Sequence, residues 1–332
     1  MQTVSTEGAT AIATAHESRR QHGVGRILRS QEARVLLGLI LLVVVFSIGT
    51  PHFLDQRNLF NVARQITMLA IVAFGMTVVL IAGGIDLSVG SVMAVTGVVV
   101  AALMKRYDVA VPMAVLLAML VGLGIGTING LVSNYLGIPA FIATLAMMTI
   151  ARGLVLLYTK ATPIYDFPHS FDFIGQGYVG PVPFPVIILA VVFALMYLML
   201  RYTVLGRYAY AIGGSAEVSR LSGINVKLNS TVLFAISGLC AGMAGVILAS
   251  RMGAGEPTAA QGMELDAIAA VVVGGTSLFG GKGTLVGTLL GAFLMGVLAN
   301  GLSLMGIEPF IQMAISGVII ILAVTISARR RQ

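Results

Sequence analysis

Charged residues are scarce in this sequence, and their scarcity argues against a soluble fold. Asp, Glu, Lys and Arg make up 10% of the 332 residues, whereas hydrophobic residues make up 58%. A soluble domain carries about 25% charged residues. The apolar runs are continuous and about 20 residues long, unlike the alternating strands of a membrane β-barrel. We therefore predict an all-α polytopic membrane protein.

Tryptophan is absent, and there is a single cysteine. Tyrosine must therefore supply the aromatic side chains that usually mark membrane interfaces. Cys240 lies within an apolar run and has no second cysteine to pair with, so we expect a small core residue.

Signatures of enzymatic chemistry are also missing. No Gly-x-Ser-x-Gly motif occurs, and the four histidines lack metal-ligand spacing. The GGKGT segment at 280–284 is not a Walker A loop, because Gly283 follows Lys282 and Thr276 occupies the first-glycine position. We therefore predict no metal, no cofactor and no ATPase site in this chain. The histidines are His16, His22, His52 and His169.

Ten successive apolar stretches suggest membrane spans. Alternating from an inside N-terminus places thirteen Lys and Arg residues on inner segments and six on outer ones, as the positive-inside rule favours. We predict an inner tail at 1–34, a transmembrane domain at 35–328 and an inner C-terminus at 329–332. The stretches cover residues 35–50, 66–82, 89–104, 111–133, 139–158, 185–201, 231–250, 265–279, 284–304 and 310–327.

Two loops between these spans are long. The outer loop, 159–184, contains or borders five of the ten prolines and is rich in Phe and Tyr. Proline restricts such a loop and aromatic residues often mark contact surfaces, so it either binds a partner or folds over the spans as a lid. The inner loop, 202–230, is polar and basic.

A short capped helix is predicted within the inner loop. Gly213-Gly214 breaks the chain, and the Ser215 hydroxyl can accept an orphan backbone N–H at a helix start. Glu217 lies in the first turn, where the helix dipole favours a carboxylate, and Gly223 suits the left-handed position after the last turn. The predicted helix has about two turns.

This helix is amphipathic. Val218 and Leu221 share one face, and Glu217 and Arg220 share another. It is either a contact surface for a cytoplasmic partner or an ordinary capped helix in a loop. The candidate contact residues are Glu217, Arg220, Leu221 and Gly223.

Glycine patterns predict either broken helices or tight hairpins, and they predict close helix packing. Gly-Gly-x-x-Leu-x-x-Gly occurs at 83–90 and again at 274–281, each time between two apolar runs. Transporters often duplicate such interrupted elements. Glycines also recur every four residues in 122–130 and 283–291, a spacing that lets neighbouring helix backbones approach closely.

Asp86 is the most notable polar residue near the membrane interior. A carboxylate there costs about 2.5–3.5 kcal/mol on insertion scales, so it should face a cavity, a partner or an interface. Ser88 and Ser91 offer the alternative that Asp86 is a local helix cap. Both a structural cap and a position on a translocation pathway therefore stay open.

Other polar residues share this ambiguity. Asp266 lies at the outer end of the eighth predicted span, where an acid is less costly. Asn129 and Asn300 are suited to hydrogen-bonding sugar hydroxyls but also to joining helices. Arg152 either extends toward the interface or pairs with an acid. The pathway candidates are Asp86, Ser88, Asn129, Arg152, Asp266 and Asn300.

Several motifs together resemble the permeases of the ribose, xylose and galactose group of bacterial ABC importers. The segment from Glu217 to Gly223 resembles the Glu-Ala-Ala…Gly coupling loop of such permeases, with Val218 and Ser219 at the alanine positions. The other motifs are GGIDLSVGS from Gly83, PAFIATLAMM from Pro139, LGRYAYAIGG…RLSGIN from Leu205 and ELDAIAAVVVGGTSLFGGKGT from Glu264.

The resemblance implies a monosaccharide permease of the inner membrane, closest to ribose permeases, with both termini in the cytoplasm. It implies a second permease chain, an ATP-binding subunit that hydrolyses ATP and docks on the inner loop, and a periplasmic sugar-binding protein. An ion-coupled secondary transporter using Asp86 or Asp266 and a passive channel are the alternatives.

Overall fold

The computed structural model describes residues 31–329, so most of the predicted inner tail and the last three residues lie outside the described part. Within it, helices dominate and the strands are two residues long. The helices are α1 Gln31–Gly49, α2 Gln56–Ile81, α3 Val89–Tyr107, α4 Val111–Tyr135, α5 Ala140–Thr159, α6 His169–Gln176, α7 Phe184–Tyr202, α8 Val204–Gly214, α9 Ala216–Leu221, α10 Val226–Met252, α11 Met263–Val273, α12 Leu285–Leu304 and α13 Pro309–Arg329. The strands are β1 Ile164–Tyr165, β2 Tyr178–Val179, β3 Val182–Pro183 and β4 Ala254–Gly255.

The predicted all-α polytopic membrane fold is confirmed. Eight of the described helices, α1–α5, α7, α10 and α12, are long and apolar enough to cross a membrane. The α13 helix matches the predicted tenth span, and 309–322 is its apolar part among the described residues.

The eighth predicted span, 265–279, differs from the expectation. It forms only the 11-residue helix α11, because Gly274 follows its last turn and Gly275 has φ +104°. Eleven residues of α-helix extend about 16 Å, roughly half of a bilayer core of about 30 Å. The second of the two predicted glycine breaks is therefore a half-helix followed by an irregular loop.

The core is built around α2 and α10. Of the 18 most apolar consecutive residues of α2, 89% are buried. The α10 helix packs against α2, α3 and α4. Phe74 and Leu233 are among the fully buried side chains at this centre. By contrast, few residues of α1, α4 and α5 are buried, as expected for helices that face lipid or another subunit.

The predicted glycine stripe on α4 forms the contact with α10. A Cβ at Gly122 would lie 2.6 Å from the carbonyl oxygen of Gly238, and one at Gly126 would lie 2.9 Å from the Cα of Gly238. Such distances are shorter than normal contacts, so only glycine allows this approach. In the second stripe, a Cβ at Gly287 would overlap the carbonyl oxygen of Gly274.

The long loop after α5 folds over the helix ends, which is one of the two arrangements expected for it. Phe171 is fully buried, and the Ser250 hydroxyl accepts the Gly175 N–H at 2.8 Å and donates to the Phe171 carbonyl at 2.6 Å. In addition, β1 pairs antiparallel with β4. Tyr165 and Tyr178 nevertheless stay exposed on the loop.

Candidate functional site

The predicted short helix is present as α9. The Ser215 hydroxyl accepts the Val218 N–H at 3.2 Å, as expected for the N-cap. Gly223 has φ +83° and donates its N–H to the Arg220 carbonyl, while the Ile224 N–H donates to the Ser219 carbonyl, both at 3.0 Å. These two bonds form a Schellman motif, which ends the helix after the predicted number of turns.

The outward face of α9 combines an apolar pair with an ion pair. Val218 and Leu221 have exposed fractions of 61% and 76%. Arg220 donates to Glu217 at 2.7 Å, and this hydrogen bond with its charge attraction lowers the pKa of Glu217. Glu217 is therefore ionised at neutral pH and forms an ion pair with Arg220. Beside this ion pair, α9 exposes the apolar side chains of Val218 and Leu221.

A joint of closely packed glycine backbone connects the end of α8 to the end of α2 and to the loop after α11. The Gly281 N–H donates to the Ile81 carbonyl at 2.8 Å, which ties the loop after α11 to the end of α2. Gly213, at the end of α8, packs onto this bond, and a Cβ there would overlap the Ile81 oxygen. We call Ile81, Gly213, Gly280 and Gly281 the glycine joint.

A tyrosine strengthens the same connection. The Tyr210 hydroxyl on α8 donates to the Gly283 carbonyl at 2.8 Å. Burial raises the pKa of Tyr210, so the phenol keeps the proton that it donates. The end of α8 is therefore in direct contact with the loops that follow α2 and α11.

Asp86 lies fully buried in the irregular segment between α2 and α3. One carboxylate oxygen accepts from the Ser88 N–H at 3.0 Å and the Ser88 hydroxyl at 2.7 Å, and the other accepts from the Ser237 hydroxyl at 2.8 Å. Asn129 on α4 donates to Ser88 at 2.8 Å. This cluster joins the segment between α2 and α3 to α4 and α10. Ser88 is the N-cap residue of α3 but makes no side-chain capping bond, and the Ser91 hydroxyl donates to the Met148 carbonyl at 2.8 Å.

The other amide and the arginine also hold elements together. Asn300 and Asn58 exchange amide hydrogen bonds of 2.9 and 3.0 Å between α12 and α2. Arg152 on α5 donates to the carbonyls of Pro257 at 2.6 Å and Ala259 at 2.9 Å. Arg152 thereby fixes the loop that leads into the half-helix α11.

Among the pathway candidates, Asp266 lines a cavity between the helices. The cavity has a volume of about 340 Å³, within the range of about 300–1,000 Å³ typical of small-molecule sites. Its walls belong to α2, α11, α12 and α13. The polar lining residues are Gln65, Gln261, Asp266, Gln312 and Ser316.

The sequence interpretation missed most of these polar lining residues. Gln65 lies in the polar first half of α2, and Gln312 and Ser316 lie in the apolar helix α13, so only tertiary packing brings them toward Asp266. Carboxylate, amide and hydroxyl groups around apolar walls are suited to a small, uncharged polyhydroxyl compound. The remaining candidates, including Asp86 and Asn129, do not line this cavity.

These features define a class: a polytopic membrane protein with a half-helix in its bundle and an exposed, capped helix in a polar loop. Residues 58–324 match the family described as the branched-chain amino acid transport system / permease component. The chain belongs to this family, and it is the permease component of an ATP-binding-cassette importer.

Curated relatives share nearly the whole chain. It is 43% identical over 304 residues to the ribose import permease protein RbsC of Escherichia coli strain K12, covering 90% of this chain and 94% of that protein. It is 40% identical to RbsC of Bacillus subtilis strain 168, with 90% and 94% covered. The D-allose transport system permease protein AlsC of E. coli K12 is 36% identical, with 87% and 89% covered. No solved structure matches the chain.

Proposed function

We propose that this chain translocates a monosaccharide, ribose or a close relative, across the bacterial inner membrane. The curated relatives named above are permeases for ribose and allose. The family description names branched-chain amino acids. The cavity beside Asp266 favours the sugar, because it has amide and hydroxyl groups but its only ionisable lining residue is an acid. A zwitterionic amino acid would also require a cation for its carboxylate.

The proposed assembly contains partners that supply energy and substrate. A separate ATP-binding subunit docks on α9 and hydrolyses ATP, since this chain carries no Walker A motif. A periplasmic binding protein delivers the sugar to the opposite end, where Tyr165 and Tyr178 are exposed. Two copies of the chain form the pathway, with both termini in the cytoplasm.

The glycine joint is the observation that carries this mechanism. An ATPase that moves α9 would shift α8, and α8 contacts the ends of both broken helices through Gly213 and Tyr210. The loop after α11 would then move relative to α12, which changes the walls of the cavity near Asp266. Such coupling requires that the two states differ in their contacts with the ATPase.

The pathway candidates divide by role under this proposal. Asp266 faces the substrate, together with Gln65 and Gln312. Asp86, Ser88, Asn129, Arg152 and Asn300 hold the interrupted segments in place, so their effect on transport is indirect.

Co-purification tests the docking surface. We expect Leu221→Glu to reach the membrane but to lose the ATP-binding subunit during affinity purification in detergent, because a carboxylate replaces the exposed apolar contact. Glu217→Arg and Gly223→Pro should do the same through charge reversal and loss of the left-handed turn. The matched control is Leu54→Glu, which changes another exposed leucine at the other end of the molecule.

Retention of the ATP-binding subunit by all three α9 variants would remove the docking role from this helix. Loss of the subunit from Leu54→Glu as well would show that the effect is not specific to α9.

A further inference from the structure

A second cleft lies at the end of the bundle that carries α9, and we propose that it binds an anionic phospholipid. Its volume is about 660 Å³. It is enclosed by the start of α1, the end of α8, the end of α11 with the loop that follows it, α12 and α13. Neither the sugar cavity nor the docking face of α9 includes these lining residues.

The chemistry of the cleft matches a phospholipid on two counts. Its interior is lined by the apolar side chains of Val35, Val272, Leu294, Ile319 and Leu322, which suit an acyl chain. Its rim carries Arg34 and Lys282, and basic pockets between helices at the cytoplasmic interface bind anionic headgroups.

The two rim cations are available for a ligand. Both are exposed, and among residues 31–329 neither forms an ion pair. The neighbouring acid Glu32 accepts a hydrogen bond from the Thr284 hydroxyl at 3.2 Å and does not line the cleft. A phosphate would therefore meet two cations that form no ion pair with an acid in residues 31–329.

A lipid fits this position better than the preceding segment of the chain does. The α1 helix forms one wall of the cleft. Of its 18 most apolar consecutive residues only 11% are buried, so the cleft adjoins a surface suited to contact with lipid. Residues 1–30 contain four arginines and two glutamates, and that net positive charge opposes Arg34 and Lys282.

Lipid binding would act on the glycine joint. Gly213, Gly280 and Gly281 line the cleft. A lipid bound there would contact the same backbone that connects α8 to the end of α2 and to the loop after α11. We expect slower hydrogen exchange of the α8–α9 segment in nanodiscs with phosphatidylglycerol than in nanodiscs of phosphatidylcholine alone.

Native mass spectrometry of the delipidated full chain, titrated with phosphatidylglycerol, tests the proposal. We expect one saturable adduct per chain that phosphatidylcholine does not give. The Arg34→Gln, Lys282→Gln double variant should bind about thirtyfold more weakly, given the contribution of each cation near a membrane surface. The conservative pair Arg34→Lys, Lys282→Arg should retain binding, as should the control pair Arg106→Gln, Lys160→Gln at the opposite end.

Three results would overturn the proposal. The first is equal phosphatidylglycerol binding by the double glutamine variant and the unaltered chain. The second is an adduct that forms only after residues 1–30 are removed, because that segment would then be the occupant. The third is equally tight binding of inorganic phosphate, which would make the cleft an anion site and not a lipid site.

Discussion

Gly213 is the residue at which the exposed helix α9 is connected to the rest of the bundle. Its lack of a side chain lets the end of α8 rest on the hydrogen bond between Ile81 and Gly281. At Gly214, the next residue, an added Cβ would have no atom within 4 Å. The structure therefore has space for a side chain at Gly214 but none at Gly213.

We expect Gly213→Ala to impair sugar uptake and to destabilise the protein by about 1–3 kcal/mol, as overpacking usually does. The added methyl group would overlap the Ile81 carbonyl oxygen. Gly214→Ala is the matched control and should leave both unfolding temperature and uptake unchanged. Equal behaviour of the two variants in thermal unfolding and uptake assays would show that the joint is not tightly packed.

Asp86 gives a second test at this scale. Three donor groups point at its carboxylate, from Ser88 and Ser237. In Asp86→Asn the amide nitrogen would face one of those donors, which leaves buried groups unsatisfied at a cost of about 1–3 kcal/mol.

We therefore expect Asp86→Asn to lower the unfolding temperature in detergent, whereas the exposed control Asp108→Asn should not. An Asp86→Asn protein that unfolds like the control but loses uptake would instead favour a direct role on the pathway.

Among the elements, local chemistry made α9 predictable. Its cap residues Ser215 and Gly223 are adjacent to the helix, so the sequence alone carries the signal. The glycine joint could not be predicted in the same way, because it brings together Ile81, Gly213 and Gly281, which lie more than 60 residues apart along the chain.

The half-helix α11 is shorter than the helix that its apolar sequence predicts. Residues 265–279 have the apolar character of a full span, and their composition alone predicts one. The backbone turns at Gly275 and ends the helix well short of that length. The polar residues that line the cavity near Asp266 come from helices far apart in sequence, so the cavity could not be predicted from local sequence.

The contact between α4 and α10 supplies the prediction at the element scale. Gly126→Ala should destabilise the protein by about 1–3 kcal/mol, because the methyl group would collide with the α10 backbone at Gly238. Gly124→Ala on the same helix meets no atom within 4 Å and should be neutral. Thermal unfolding of the two variants measures the difference, and similar midpoints would contradict the close packing.

For the whole molecule, the proposed orientation places the end of the bundle that carries α9 in the cytoplasm. The loops after α2 and α11 and the segment that carries α8 and α9 meet at one end of the bundle through the glycine joint. The Asn58–Asn300 pair and the folded loop after α5 lie toward the other end. This separation suits a transporter that receives energy at one end and substrate at the other.

The central claim is that a separate ATPase, acting through α9, drives sugar movement through this chain. Proteoliposomes that contain the permease, the ATP-binding subunit and the sugar-binding protein test it most directly, with uptake of labelled ribose as the measurement. We predict uptake that requires hydrolysable ATP, is lost with Leu221→Glu, and is inhibited by excess unlabelled ribose but not by leucine. Ribose accumulation by the purified chain alone, driven by a proton or sodium gradient without nucleotide, would contradict the account.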